Sequence, residues 1–222
     1  MEEVYALKSV RIWFDKFGSA RYISYWDLCR CMERVICKAK LPCRYAESLN
    51  SHIFLTINIA VAVGHSCLRE SMDIDLLEEN FPTEEIVERL NAGLPGDIRV
   101  TAVTEPVMVP GDVAFFSYEI YLDNQPGLLD TVEDLLRKRE MLVVSCPENG
   151  NQNEGIKLDC TEMTCKQVDD GRLCFAITLK SSCNGCINPR WYFDVLSKRY
   201  GKPLYPEIIR TNCFDENMNE FV

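Results

Sequence analysis

The chain has 222 residues, 47% of them hydrophobic and 26% charged, with a formal net charge of −10 at pH 7. That balance is the one a globular chain needs to bury a core, as one domain or two small lobes, and it excludes a disordered polymer. The acidic total argues against attraction of the whole surface to nucleic acid or an anionic membrane. The longest apolar stretch, residues 53–63, is broken by Thr56 and Asn58 and falls short of the ~20 residues a membrane helix requires.

The opening Met1-Glu2-Glu3-Val4 is acidic where a signal peptide is basic and then apolar, so a cytoplasmic protein without membrane contact is expected. Twelve cysteines then read as buried thiols of a reducing compartment rather than as a disulfide framework. The charge is uneven. Residues 1–45 carry Lys8, Arg11, Lys16, Arg21, Arg30, Arg34, Lys38, Lys40 and Arg44 against few acids, so the remainder is strongly acidic. That asymmetry raises an anionic ligand near the first helix, beside the alternative of a solvated basic face.

In chain order, residues 10–14 read as a strand ended by the turn Phe17-Gly18-Ser19. A helix follows over 24–40, with Leu28, Met32, Val35, Ile36 and Ala39 recurring at three- and four-residue spacing and Pro42 closing it. Residues 53–63 and 67–77 read as paired strands joined through Gly64. Pro82-Thr83-Glu84-Glu85 opens a second helix with acids at its positive end, Gly93 and Pro95 stop it, and 98–104 is a strand. After Pro106, Pro110 and Gly111 the order partly repeats: strand 115–122, helix 128–139, short strand 142–145, and a hairpin of 156–168 with 172–180 across Asp169-Asp170-Gly171. Asn188-Pro189 caps a last helix running to Tyr200, 207–212 is a final strand, and residues 215–222 are expected to fray. The expected architecture is α+β: two tandem ferredoxin-like (β-α-β-β-α-β) lobes with antiparallel sheets, residues 1–105 and 113–222, joined by a linker over 106–112.

Ser24-Tyr25-Trp26-Asp27 fits a capping box, in which the Ser24 side chain accepts from the Asp27 amide and the Asp27 carboxylate reaches back to the Ser24 amide. Capping accounts for both residues. Arg30 and Arg34 share a helical face with Asp27 one turn before, either a salt-bridged solvated stripe or an anion-binding one.

The run from Phe17 through Tyr22-Ile23-Ser24-Tyr25-Trp26-Asp27-Leu28 and Arg30 to Glu33-Arg34 and Leu41-Pro42 resembles the opening of the radical-SAM-linked protein family. That is a bacterial domain of unknown function found fused to radical-SAM proteins or encoded beside them. Tyr45, and Asn50 and His52 within Ser48-Leu49-Asn50-Ser51-His52-Ile53, match the family's tyrosine and its Gly-Phe-Asn-Pro-His-Pro loop. Val63-Gly64 and Glu70 followed by Asp73-Ile74-Asp75 match further downstream. The similarity is good over 10–104 and weaker beyond, where Asn188-Pro189-Arg190 resembles the start of the family's last helix. The family's histidine after the serine is Tyr25 here, and Ser48, Ser51 and Ile53 replace the loop's glycine and prolines.

The resemblance implies a non-catalytic accessory module presenting an RNA or protein substrate to a partner radical-SAM enzyme, with Arg21, Arg30, Arg34, Asn50, His52 and Glu70 as its binding residues. No catalytic residue, metal or cofactor is assigned to the chain, which lacks the Cys-x₃-Cys-x₂-Cys cluster motif. Two alternatives stand beside this reading. One is an RNA-processing or hydrolytic enzyme using His52 as general acid or base beside Asp27 or Glu70. The other is a zinc-stabilised interaction domain built on Cys183 and Cys186, with Cys160 and Cys165 nearby.

Overall fold

β1 (Lys8–Lys16) places Val10, Ile12 and Phe14 on one face and Arg11 and Trp13 on the other, the period of two that an extended chain imposes. The apolar row is the floor of a core. The structure, a computed structural model, describes residues 7–46, 52–138, 142–144, 156–181 and 187–222. These divide into two units, one running to Val113 and including Asn219–Val222, the other spanning Ala114–Met218. The architecture is mixed α+β with antiparallel strand pairing and four helices among the described residues.

In the first unit β1 is followed by α1 (Tyr25–Ala39), β2 (Leu55–Ile57), β3 (Ser66–Leu76), α2 (Thr83–Gly93) and β4 (Ile98–Thr104). The strands lie in the order β4-β1-β3-β2, with Ile12 opposite Met72 on one side and Val103 on the other. Leu28, Met32, Val35 and Ile36 of α1 and Ile86 and Leu90 of α2 cover the face formed by Val10, Ile12, Phe14, Met72, Ile74 and Leu76. Each such side chain contributes about 1.5–3 kcal/mol by leaving water.

β2 is shorter than its apolar run suggests because side chains, not a ladder, hold the residues after it. Asn58 donates to Ser71 Oγ at 3.0 Å and Asp73 Oδ1 at 2.8 Å, and Glu70 Oε1 accepts from the Val61 amide. A 3-10 turn over Gly18–Tyr22 enters α1. Gly18 sits at φ +54°, and a Cβ there would lie 2.7 Å from the Asp97 carboxyl carbon, so glycine is needed twice over. Asp97 Oδ2 accepts from the Ser19 hydroxyl at 2.5 Å and the Ser19 amide at 2.7 Å.

The other face of β1 is closed differently. Arg11, 1% exposed, makes a bidentate pair with Asp73 at 2.8 Å through both Nε and Nη2. It also donates to the carbonyls of Val222 and Met108 at 2.9 Å, and the Phe221 ring stacks 4.4 Å from its guanidinium. Met108 and Val107 donate their amides to the Val222 carbonyl. Residues 106–112, expected to be a linker, thus belong to the first unit. Residues 219–222 differ from the expected frayed tail, because Phe221 and a buried cation hold them.

The second unit runs β5 (Phe115–Leu122), α3 (Leu128–Lys138), β6 (Leu142–Val144), β7 (Ile156–Leu158), β8 (Thr164–Gln167), β9 (Leu173–Lys180), α4 (Arg190–Tyr200) and β10 (Glu207–Phe214). Its strands follow the path β10-β5-β9-β8, with β6 and β7 paired separately. Leaving out that extra pair, the order of elements and of strands repeats that of the first unit. Residues 156–168 form two strands instead of one because Asp159 accepts from the Thr161 hydroxyl and amide, a side-chain turn that interrupts the ladder. Phe175 and Phe193 meet edge to face at 5.1 Å in the core. Asn188 caps α4 by accepting from the Arg190 amide, and Gly201 ends it at φ +80°.

Two stability measurements follow. Replacing Arg11 with Met strands a pair already removed from water and should lower unfolding free energy by about 3 kcal/mol, which Arg11→Lys will not restore because an ammonium lacks the planar fork. A loss under about 1 kcal/mol in urea titration would contradict the buried network. Asp97 is held below its ordinary 3.8 by the Ser19 hydroxyl first and the Ser19 amide second. Its contribution is therefore complete above pH 3.8 and fades as pH falls through the lower folded value. The melting-temperature gap between the native chain and Asp97→Asn should be widest near neutrality and close in acid.

Candidate functional site

α1 begins at Ser24, whose hydroxyl accepts from the Asp27 amide at 3.2 Å, as the sequence predicts. The reciprocal bond differs: Ser24 Oγ donates to Asp27 Oδ2 at 2.7 Å instead of the Ser24 amide doing so. The other carboxylate oxygen takes Arg30 Nη1 at 3.3 Å. Both side chains are exposed, and such a pair is weak and screened by salt.

Because Leu28, Met32, Val35 and Ile36 bury one stripe of the helix, the 3.6-residue repeat turns another stripe outward. Arg30, Arg34 and Lys38, four residues apart, lie along it, each exposed. They line an open groove of about 470 Å³, together with Asp27, Ile23, Cys31 and Val35, and with Gly93 and Pro95 from the end of α2. Three cations face one acid there. Burial pushes the Cys31 thiol up and Arg34 draws it back, so it stays an uncharged wall of the groove.

The opposite flank of α1 has a structural task. Glu33 Oε1 accepts from the Ile53 amide at 3.3 Å, and Cys37 Sγ lies 3.8 Å from the Tyr45 hydroxyl. These contacts tie down the backbone on either side of residues 47–51. His52 is exposed on that flank, outside the groove lining, and its carbonyl accepts from the Ala46 amide.

The expected binding residues therefore separate. Arg30 and Arg34 come together in the groove. Arg21 lies in the 3-10 turn with its guanidinium 4.9 Å over the Tyr22 ring, outside the groove lining. Asn50 lies outside the described residues. Glu70 is interior, at 0% exposure, 3.3 Å from the buried Lys16 ammonium, so it belongs to a core ion pair instead of a binding surface. Sequence reasoning missed Lys38, although its spacing continues Arg30 and Arg34 by one more turn.

Cys43, Cys67, Cys160, Cys174 and Cys213 are buried, and burial pushes Cys43 up to about 12 and Cys160 and Cys165 up to about 11. Such thiols stay protonated and do not ligate or attack as thiolates. Cys160 lies in the turn after β7, not in a strand. Cys183 and Cys186 lie outside the described residues. Among the described residues no group of three or more His, Cys, Asp or Glu side chains could hold a metal ion, and no helix is long and apolar enough to cross a membrane.

Fold and groove define a mixed α+β protein with antiparallel sheets and a cationic groove on its first helix. The chain belongs to the family described as "Uncharacterized protein conserved in bacteria (DUF2344)", whose model matches residues 9–189. No curated protein matches it. Among solved structures, an unknown protein from Galdieria sulphuraria aligns at 12% identity and a TM-score of 0.27, over 92% of this chain and 98% of that one. A putative glycine cleavage system transcriptional repressor aligns at 12% identity and a TM-score of 0.22, over 95% and 99%. Scores this low assign neither fold nor function.

The Asp27–Arg30 pair competes with any anion entering the groove. Asp27→Asn should raise polyphosphate affinity about two- to threefold at low salt, the worth of one weak surface pair, and the gain should vanish at high salt. Isothermal titration at two ionic strengths measures both; unchanged affinity at low salt would mean that anions do not use the groove.

Proposed function

We propose that the protein is a non-catalytic binding module that holds an RNA segment along α1 and presents it to a partner enzyme. The observation that carries this reading is the row Arg30, Arg34 and Lys38 lining one open groove on a chain that is otherwise acidic. Cations gathered in one place against a net charge of −10 concentrate polyanion contact there and discourage it elsewhere. Arginine's planar fork suits phosphate oxygens, and the groove is open enough for a polymer to pass through.

The framework supports the same reading. The order β-α-β-β-α-β with strands β4-β1-β3-β2, all antiparallel, fits a ferredoxin-like lobe, and the path β10-β5-β9-β8 fits a second one. A sheet of this kind leaves its helices free on one face to carry a ligand, although fold alone names no function. The sequence resemblance to the radical-SAM-linked family supplies the enzyme class we propose as partner. Catalysis by His52 has no such support: the acids named beside it are Asp27, occupied with Ser24 and Arg30, and Glu70, buried against Lys16.

Fluorescence anisotropy with total cellular RNA at low salt tests the proposal. The native chain should bind, Arg30→Ala combined with Arg34→Ala should weaken binding at least about tenfold, and the dependence on salt should become shallower as two phosphate contacts are lost. Binding that is absent, or indifferent to both substitutions, removes the RNA reading. Co-purification of a radical-SAM enzyme with the native chain tests the partner.

A further inference from the structure

Trp26 is 70% exposed on α1, and Tyr22 and Tyr25 beside it are exposed as well. An indole left in water forgoes a large burial gain, and this one has no place in the core cluster that fixes the helix. The Tyr25 ring meets it edge to face, at 5.2 Å and 79°. A T-shaped prop of that kind restrains the indole.

Trp26 is also four residues before Arg30, so Trp26, Arg30, Arg34 and Lys38 form one continuous stripe at four-residue spacing. We infer that a single unpaired nucleobase stacks on Trp26 while the adjoining phosphates lie over Arg30, Arg34 and Lys38, so that the ligand of this groove is single-stranded nucleic acid. The inference rests on the RNA reading above and goes beyond it in naming the strand state and the stacking residue.

Spacing supports it. One residue every four places a cation about every 6 Å along the helix. A strand within a duplex advances about 3.4 Å per phosphate, so the row matches a strand drawn out of its stack better than a paired one. An unpaired base also offers the flat face that a carboxylate-rich peptide lacks, and stacking on an aromatic is indifferent to base identity.

The test uses the full chain with four probes: a short single-stranded oligoadenylate, the same sequence annealed to its complement, inorganic polyphosphate, and a glutamate-rich peptide. Oligoadenylate should bind more tightly than the duplex and quench tryptophan emission, and the quench should be lost in Trp26→Phe, which leaves Trp13 and Trp191 as the remaining emitters. Trp26→Ala should weaken oligoadenylate about tenfold, Trp26→Phe should largely retain affinity because a phenyl ring still stacks, and neither should change polyphosphate binding. Arg30→Ala with Arg34→Ala should weaken every anionic probe.

The stacking inference is overturned, with the RNA reading intact, if Trp26→Ala leaves oligoadenylate affinity unchanged while the double arginine variant lowers it, or if the duplex binds as tightly as the single strand. Loss of oligoadenylate binding altogether, with the glutamate-rich peptide bound instead, overturns both and makes the groove a protein-binding one.

Discussion

A guanidinium removed from water has to find every partner it lost, and Arg11 shows how much structure that need can organise. Its fork takes both oxygens of Asp73 on β3, and its remaining hydrogens go to carbonyls of Met108 and Val222. One side chain of β1 thereby fixes a neighbouring strand, the segment after β4 and the residues 221–222. Burying such a charge is favourable only when all of these are in place, so the arrangement forms as a set. With that face closed by polar contacts, the opposite face of β1 is left wholly to hydrocarbon, and α1 packs there.

The packing of α1 decides what it shows to solvent. Four buried residues set its rotation, and the rotation delivers Glu33 and Cys37 to one flank and the cationic stripe to the other. Glu33 then holds the backbone at Ile53, which keeps His52 away from the groove. A Glu-Arg pair adjacent in sequence therefore serves unrelated ends: the acid anchors a loop, and the arginine faces a ligand. Neighbours on a helix are about 100° apart, and here that angle separates structure from function.

Much of this was readable from residue order, and the exceptions have definite causes. The apolar spacing of Leu28, Met32, Val35 and Ile36 gave α1, and Ser24 and Asp27 gave its start, since helical periodicity and capping are local. The extent of β2 was not readable, because Asn58 and Glu70 capture residues 58–61 through side chains distant in sequence. Glu70 looked like a surface acid because a carboxylate at 0% exposure is rare, and its partner Lys16 lies on another strand. The closing tail was misread for the same reason: a polar run such as Asp215–Asn219 reads as loose, while Phe221 behind it finds Trp13 and Arg11 only in three dimensions. Asn50, Cys183 and Cys186 lie outside the described residues.

The repeated strand path has a bearing on charge. In the first unit the helix after the opening strand bears Arg30, Arg34 and Lys38; in the second, the helix in the same place bears Asp130, Glu133 and Asp134. Both helices meet the same demand, an apolar stripe laid on a sheet, and that demand says nothing about the sign of what faces outward. A duplicated scaffold can thus be polarised without being rebuilt. An approaching anion is sorted between the two copies by sign alone, before it touches either.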